Sequence, residues 1–198
     1  MENQKIIEIQ NQPYYSNALE YAKKMHEGQF YGGKDTPYYS HPKEVVDLLI
    51  KIFADEKKRE GLNLEAMVIQ AFGHDLLEDT DATYNEISQR FGKVNADGIQ
   101  ALTKNKNLSH DERVGDSLAR ILQEPPETAC VKMADRICNI SNIHPKWGKE
   151  KHQEYLQESR VILETLGGVN ETMARKLEKA ITDYGNAINK AFNQEIFK

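Results

Sequence analysis

The sequence predicts an all-α protein, on two observations. Apolar residues recur at spacings of three and four almost throughout the 198 residues, and alternating runs rich in Val, Ile and Thr are absent. That length suits one domain, residues 1–198, with a core large enough to stand without disulfides. Cys130 and Cys138 lie in an apolar periodic segment and fit reduced core residues, since their spacing matches neither a redox pair nor a zinc knuckle. A net charge of −5, with both signs interspersed, creates no broad field for nucleic acid or anionic lipid. An anionic substrate therefore needs a local basic pocket or a metal. No stretch approaches the roughly 18 apolar residues of a membrane span, and the N-terminal MENQKIIEIQNQPYY has no signal-peptide pattern. A cytoplasmic location is expected.

The first helix is predicted over Tyr15 to His26, with Ala18, Leu19, Ala22 and Met25 inward and Gly28 as its stop. A loop follows. Pro42 suits a first helical position, which puts His41 at or beside the N-cap of a helix burying Val45, Val46, Leu48, Leu49, Ile52 and Phe53. Leu64 to Leu77 is apolar nearly all round, the mark of a central helix, and carries His74 and Asp75 towards its end. Thr83 and Glu86 form a capping box that opens a helix closed by Gly92, and another helix runs to about Thr103. The polar run KNKNLSHDER reads as a loop before a helix around Val114, Leu118 and Ile121, which Pro125-Pro126 terminates. Thr128 to about Asn142 is the next helix, with Cys130, Met133, Ala134, Ile137 and Ile140 inward. After a loop with Trp147 and Gly148, a helix reaches Gly167-Gly168. The last helix carries the stripe Met173, Leu177, Ala180, Tyr184, Ala187 and Ala191, which suits core packing or the pairing of two copies.

Chemistry is concentrated in GHDLLEDTDAT, residues 73–83. Two ionisable residues directly after an apolar helical run would cost several kcal/mol to bury alone; a bound cation removes that cost. Helical spacing pairs His74 with Glu78 and Asp75 with Asp79, so that one pair can ligate and the other act. Imidazole with carboxylate suits borderline divalent metals such as Mn²⁺, Fe²⁺ or Zn²⁺. Two ligands hold a metal loosely. The further candidates are His41, otherwise an ordinary capping histidine, and Asp135, otherwise one half of an ion pair. His26, His110, His144 and His152 lack an acidic neighbour in an apolar run, so surface or supporting roles are expected of them.

His41-Pro42, HDLLEDT at 74–80, Phe91-Gly92, Leu102-Thr103-Lys104, KMADRICNI at 132–140, HEGQ at 26–29 and TPY at 36–38 resemble, in order and spacing, the hydrolase domain of RelA/SpoT-type alarmone enzymes. The resemblance covers residues 14–145 and is strongest to the free-standing small alarmone hydrolases. It implies an HD-domain helical bundle, completed by helices over residues 150–198, with one Mn²⁺ at His41, His74, Asp75 and Asp135. It also implies hydrolysis of the 3′-pyrophosphate of ppGpp or its adenine counterpart, with Glu78 and Asp79 as the catalytic pair and Asn139 contacting the nucleotide. Lys132 and Arg136, on either side of Asp135, bring positive charge for phosphates. One departure bears on the substrate: where the family has an Arg-Lys pair, this chain reads Tyr31-Gly32, with Lys34 shortly after. Tyr31 can stack on a base, but the lost charges keep a nucleoside monophosphate or NADPH open as alternative substrates. The family's histidine before the asparagine is Cys138 here.

Overall fold

The computed structural model describes residues 2–31, 35–59 and 61–193, and among them every regular element is a helix apart from a single isolated bridge between Phe30 and Pro37. Residues 1–132 and 133–198 form two compact units, the division falling inside one continuous helix, α10 (Pro126–Asn139). None of the helices is long and apolar enough to cross a membrane.

In the first unit, α1 (Glu2–Gln10) precedes the first predicted helix and packs on α2 (Pro13–Met25) and α3 (Ser40–Phe53). Its few apolar residues make too faint a stripe to read from the sequence. The buried face of α2 is Tyr15, Ala18, Tyr21 and Ala22, with Met25 packed at the margin of the core and Leu19 partly covered. Tyr15 meets Phe72 edge-on at 5.2 Å. Gly28, at φ +78°, supplies the left-handed turn that ends the segment. Helix α3 begins two residues before Pro42, which places His41 inside the first turn, not at the cap. It buries Ile50 while Leu48 turns partly outward.

The short α4 (Glu56–Arg59) leads to α5 (Leu64–Gly73), capped by Asn63, whose side chain accepts the Ala66 N–H. All of α5 except Glu65 is buried. It stops at Gly73, so the helix predicted to Leu77 is broken: His74 and Asp75 lie between it and the single turn α6 (Leu76–Asp79). Two glycines bring α5 against α8 (Lys93–Leu102). A Cβ at Gly73 would lie 2.4 Å from Ile99 Cδ1, and one at Gly98 would lie 2.6 Å from the Gln70 side chain. Helix α7 (Tyr84–Phe91) opens with the predicted Thr83–Glu86 capping box and closes at Gly92, φ +85°. Helix α9 (His110–Ile121) starts inside the polar run read as a loop, because Ser109 and Glu112 form a second capping box.

The second unit contains the end of α10, α11 (Lys149–Leu166) and α12 (Glu171–Asn193), the last two packed together. The buried stripe of α12 is Met173, Leu177, Ile181, Tyr184 and Ile188. Ala180 and Ala187 are only partly covered and Ala191 is exposed, because the larger isoleucines of adjacent rows take the core positions.

Candidate active site

Helix α5 positions the first functional side chain by ending where it does. His74 is the C-cap of α5, and its Nδ1–H donates to the Ala71 carbonyl at 2.7 Å. That bond fixes the ring and turns Nε2 to the opposite side. There Nε2 lies 3.0 Å from Asp75 Oδ2. His41, in the first turn of α3, brings its ring centroid to 5.3 Å from that of His74. Asp135 comes from α10, whose opening turns are tied to the first unit: Glu127 accepts the Asn63 N–H at 2.6 Å and Thr128 donates to Gln70 Oε1 at 2.9 Å. Asp135 lies about two turns further along the same helix. His41, His74 and Asp135 are 2%, 5% and 6% exposed, and each offers a ligand atom within 4.8 Å of the others. Two imidazoles and a carboxylate in one buried cluster form a donor set suited to a borderline divalent ion. The close approach of His74 Nε2 and Asp75 Oδ2, two electron-rich atoms when the imidazole is neutral, is one that a shared cation stabilises.

The acidic pair follows at once. Because α5 breaks, the predicted His74–Glu78 and Asp75–Asp79 pairs do not lie on one continuous helix, but Asp79 still stacks a turn beyond Asp75, its N–H donating to the Asp75 carbonyl at 2.9 Å. The Tyr38 hydroxyl lies between both acids, 3.0 Å from Asp75 Oδ2 and 3.2 Å from Asp79 Oδ2. Burial raises the Asp79 carboxyl above the usual range, reinforced by the charges of Asp75 and Glu78. Burial and the same two aspartates hold the Tyr38 phenol protonated, far above its ordinary value. Glu78 is held separately, its Oε2 accepting the Lys104 N–H at 3.1 Å.

These supports were not singled out from the sequence as site residues. Gln29 donates to the Asp79 carbonyl at 2.7 Å and meets His26 Nδ1 at 2.8 Å. His26, for which a surface or supporting role was expected, is buried beneath the site, and His152 is wholly buried in the second unit beside Tyr184. The available signal was the HEGQ and TPY motifs themselves, whose polar residues cap no predicted helix.

The residues expected to meet substrate have different partners. Tyr31 stacks its ring on His41, centroids 4.9 Å apart and planes 16° from parallel. Lys34 lies outside the described residues. Lys132 is half-buried on α10. Asn139 donates to Asp135 Oδ1 at 2.6 Å. Arg136, in the second unit, is buried, pairs with Glu158 at 3.1 Å and lies 3.8 Å over the Tyr155 ring.

The chain resembles proteins of known activity. The guanosine-3′,5′-bis(diphosphate) 3′-pyrophosphohydrolase MESH1 of Danio rerio is 28% identical over 173 residues, which cover 84% of this chain and 92% of that protein. The human protein of the same name is 29% identical, over 74% of this chain and 78% of its own length. A solved structure of a metazoan orthologue of SpoT, described as hydrolysing ppGpp, superposes with a TM-score of 0.73 at 23% identity, covering 88% of this chain and 97% of that one. The likeness of the two folds agrees with the all-helical architecture. The HD domain family profile matches residues 18–172, more than half of the sequence, and this chain belongs to that family.

Proposed function

We propose that this protein is a metal-dependent hydrolase that removes the 3′-pyrophosphate from guanosine or adenosine alarmones of the ppGpp type, leaving a nucleoside diphosphate and pyrophosphate. The observation that carries the reading is the buried cluster of His41, His74 and Asp135 with the Asp75–Glu78–Asp79 acids directly after it. The named activity of the MESH1 relatives, which this chain matches over most of their length, supports the same substrate. We read the whole chain as one functional HD-type domain in the cytoplasm, a reading supported by a family match that runs through residues of both units.

His41, His74, Asp75 and Asp135 would hold the metal, which we take to be Mn²⁺. Bound there, it would supply positive charge for a phosphate oxygen and lower the pKa of a water towards neutrality. The protein's own groups do the rest. Asp79, its carboxyl raised above the usual range by burial and bonded by Tyr38, accepts the proton of the attacking water. Glu78, fixed by the Lys104 amide, orients that water. Water adds to the phosphorus joined to O3′, that bond breaks, and O3′ leaves with a proton as pyrophosphate is released. Asn139 holds the Asp135 carboxylate and borders the nucleotide, Tyr31 lines the base side, and Lys132 faces the phosphates. We do not carry Arg136 into that last role, since its charge and its plane engage Glu158 and Tyr155.

The test is to incubate the Mn²⁺-loaded protein with ppGpp, ppApp, nucleoside monophosphates and NADPH and to identify the phosphate released. Pyrophosphate from the first two alone is the expected outcome. Orthophosphate from NADPH or a monophosphate, with ppGpp untouched, overturns the substrate assignment; inertness towards all four overturns the enzyme.

A further inference from the structure

We propose that Arg120 is a positioning residue for Glu78, acting through the single peptide that joins Thr103 to Lys104. The proposal rests on the catalytic role given to Glu78 above. Leu102-Thr103-Lys104 directly follows or ends α8, where the last carbonyls of a helix have no partner of their own. Arg120, the penultimate residue of α9, satisfies them. Its Nη1 donates to the Gln100 and Ala101 carbonyls, the latter at 3.0 Å, and its Nη2 donates to the Thr103 carbonyl at 2.7 Å. Nε and Nη2 are aligned by Asp116 Oδ2 at 3.0 and 2.8 Å. Ser117 adds its hydroxyl to the Ala101 carbonyl at 2.8 Å.

The Thr103 carbonyl and the Lys104 N–H belong to one planar amide, so their directions are locked together. Arg120 grips the oxygen end. Glu78 sits at the nitrogen end, accepting from Lys104 at 3.1 Å. Fixing one end therefore aims the other, and a guanidinium on the carbonyl also polarises the amide into a stronger donor. The arrangement brings a residue of α9 to bear on an acid of α6 without contact between them. A second arginine of α9, Arg113, holds the Lys106 and Leu108 carbonyls at 3.2 and 3.0 Å, while Lys106 Nζ donates to the Glu78 carbonyl. The loop after α8 is thus pinned on one side by α9 and presented to Glu78 on the other.

Arg120→Lys keeps the charge but loses the planar fork that reaches Asp116, Ala101 and Thr103 together. For ppGpp hydrolysis, kcat is expected to fall roughly 10- to 100-fold while KM changes by less than about twofold, as for a misplaced reacting group. In ¹⁵N-labelled protein without nucleotide, the Lys104 amide proton should move upfield in Arg120→Lys and in Glu78→Gln, and Arg120→Lys should move it less in the Glu78→Gln background than in wild type. An unshifted Lys104 amide in Arg120→Lys overturns the proposal. So does a loss of the same factor from Arg120→Lys in both backgrounds, which is the mark of a structural role alone. If Arg120→Lys does not fold, Asp116→Asn, which removes the group that aligns the guanidinium, is read by the same two criteria. Failure of the wild type to hydrolyse ppGpp overturns the substrate reading alone, and the amide shifts still decide whether Arg120 sets the Glu78 contact.

Discussion

Asn139 Nδ2 lies 2.6 Å from Asp135 Oδ1, one helical turn along α10. An amide bonded to a carboxylate in this way fixes which oxygen remains for other work, as outer partners of metal ligands do. Replacing Asn139 by Ala is therefore expected to weaken Mn²⁺ binding by roughly 10-fold or more, measured by competition with a fluorescent chelator, before any effect on nucleotide affinity is considered. Unchanged metal affinity would limit Asn139 to the nucleotide.

Tyr38 has one hydroxyl proton for two carboxylates. Tyr38→Phe leaves Asp75 and Asp79 facing each other without that donor. It should cut kcat roughly tenfold or more and lower stability by about 1 kcal/mol. Steady-state kinetics and urea denaturation read the two effects separately. Full activity would mean that the turn of α6 alone holds the acids in place.

Dialysis against a chelator should lower the melting temperature as well as abolish turnover, because His41, His74 and Asp135 are buried together in the folded chain only. Metal at a hundredfold excess over its Kd adds about 2.7 kcal/mol to stability. Mn²⁺ should restore the melting temperature of the wild type and have no effect on that of His41→Ala.

Gly98→Ala sets two magnitudes against each other. Alanine favours a helix interior by about 1 kcal/mol over glycine, whereas overpacking costs about 1–3 kcal/mol. The clash is with the end of Gln70, a side chain that is fully buried and accepts a hydrogen bond from Thr128, so it has nowhere to swing. The variant should be less stable than wild type in urea. Higher stability would show that Gln70 repacks.

Burial holds the imidazoles of His26 and His152 below their usual range. A base whose folded pKa is depressed binds its proton more readily in the unfolded chain. The stability it contributes is therefore complete above the unfolded value of about 6.5 and is lost as pH falls below it. Melting temperature should decline between pH 7.5 and 5.5, and His152→Asn should flatten that decline. An equal slope in the variant would remove His152 from the account.

Much of the helical framework is legible in the sequence because capping, glycine stops and apolar period are local signals. The Thr83–Glu86 box and the turn at Gly28 are examples. The break of α5 is not local: Gly73 looks like one more residue of an apolar run until Ile99 of α8 is packed against it. The same holds for the site. Residue types such as His41, His74 and Asp135 stand out as polar groups in apolar surroundings, whereas the bonds that tie Tyr38 to Asp75, Gln29 to Asp79 and Glu78 to Lys104 cross long stretches of chain and leave no spacing to read. Arg136 makes the same point, since its place beside Asp135 in sequence says nothing of its ion pair with Glu158.

The segment after Gly28 is stitched at its base, by Tyr31 N–H to the Thr36 carbonyl at 2.8 Å and Tyr38 N–H to the Gln29 carbonyl at 3.0 Å. Those stitches set Gln29 and Tyr38 from the ends of the segment, and with them the bonds that reach Asp75 and Asp79. If the segment meets the nucleotide as proposed, substitutions away from its stitched ends would alter ligand preference while the acids keep their supports.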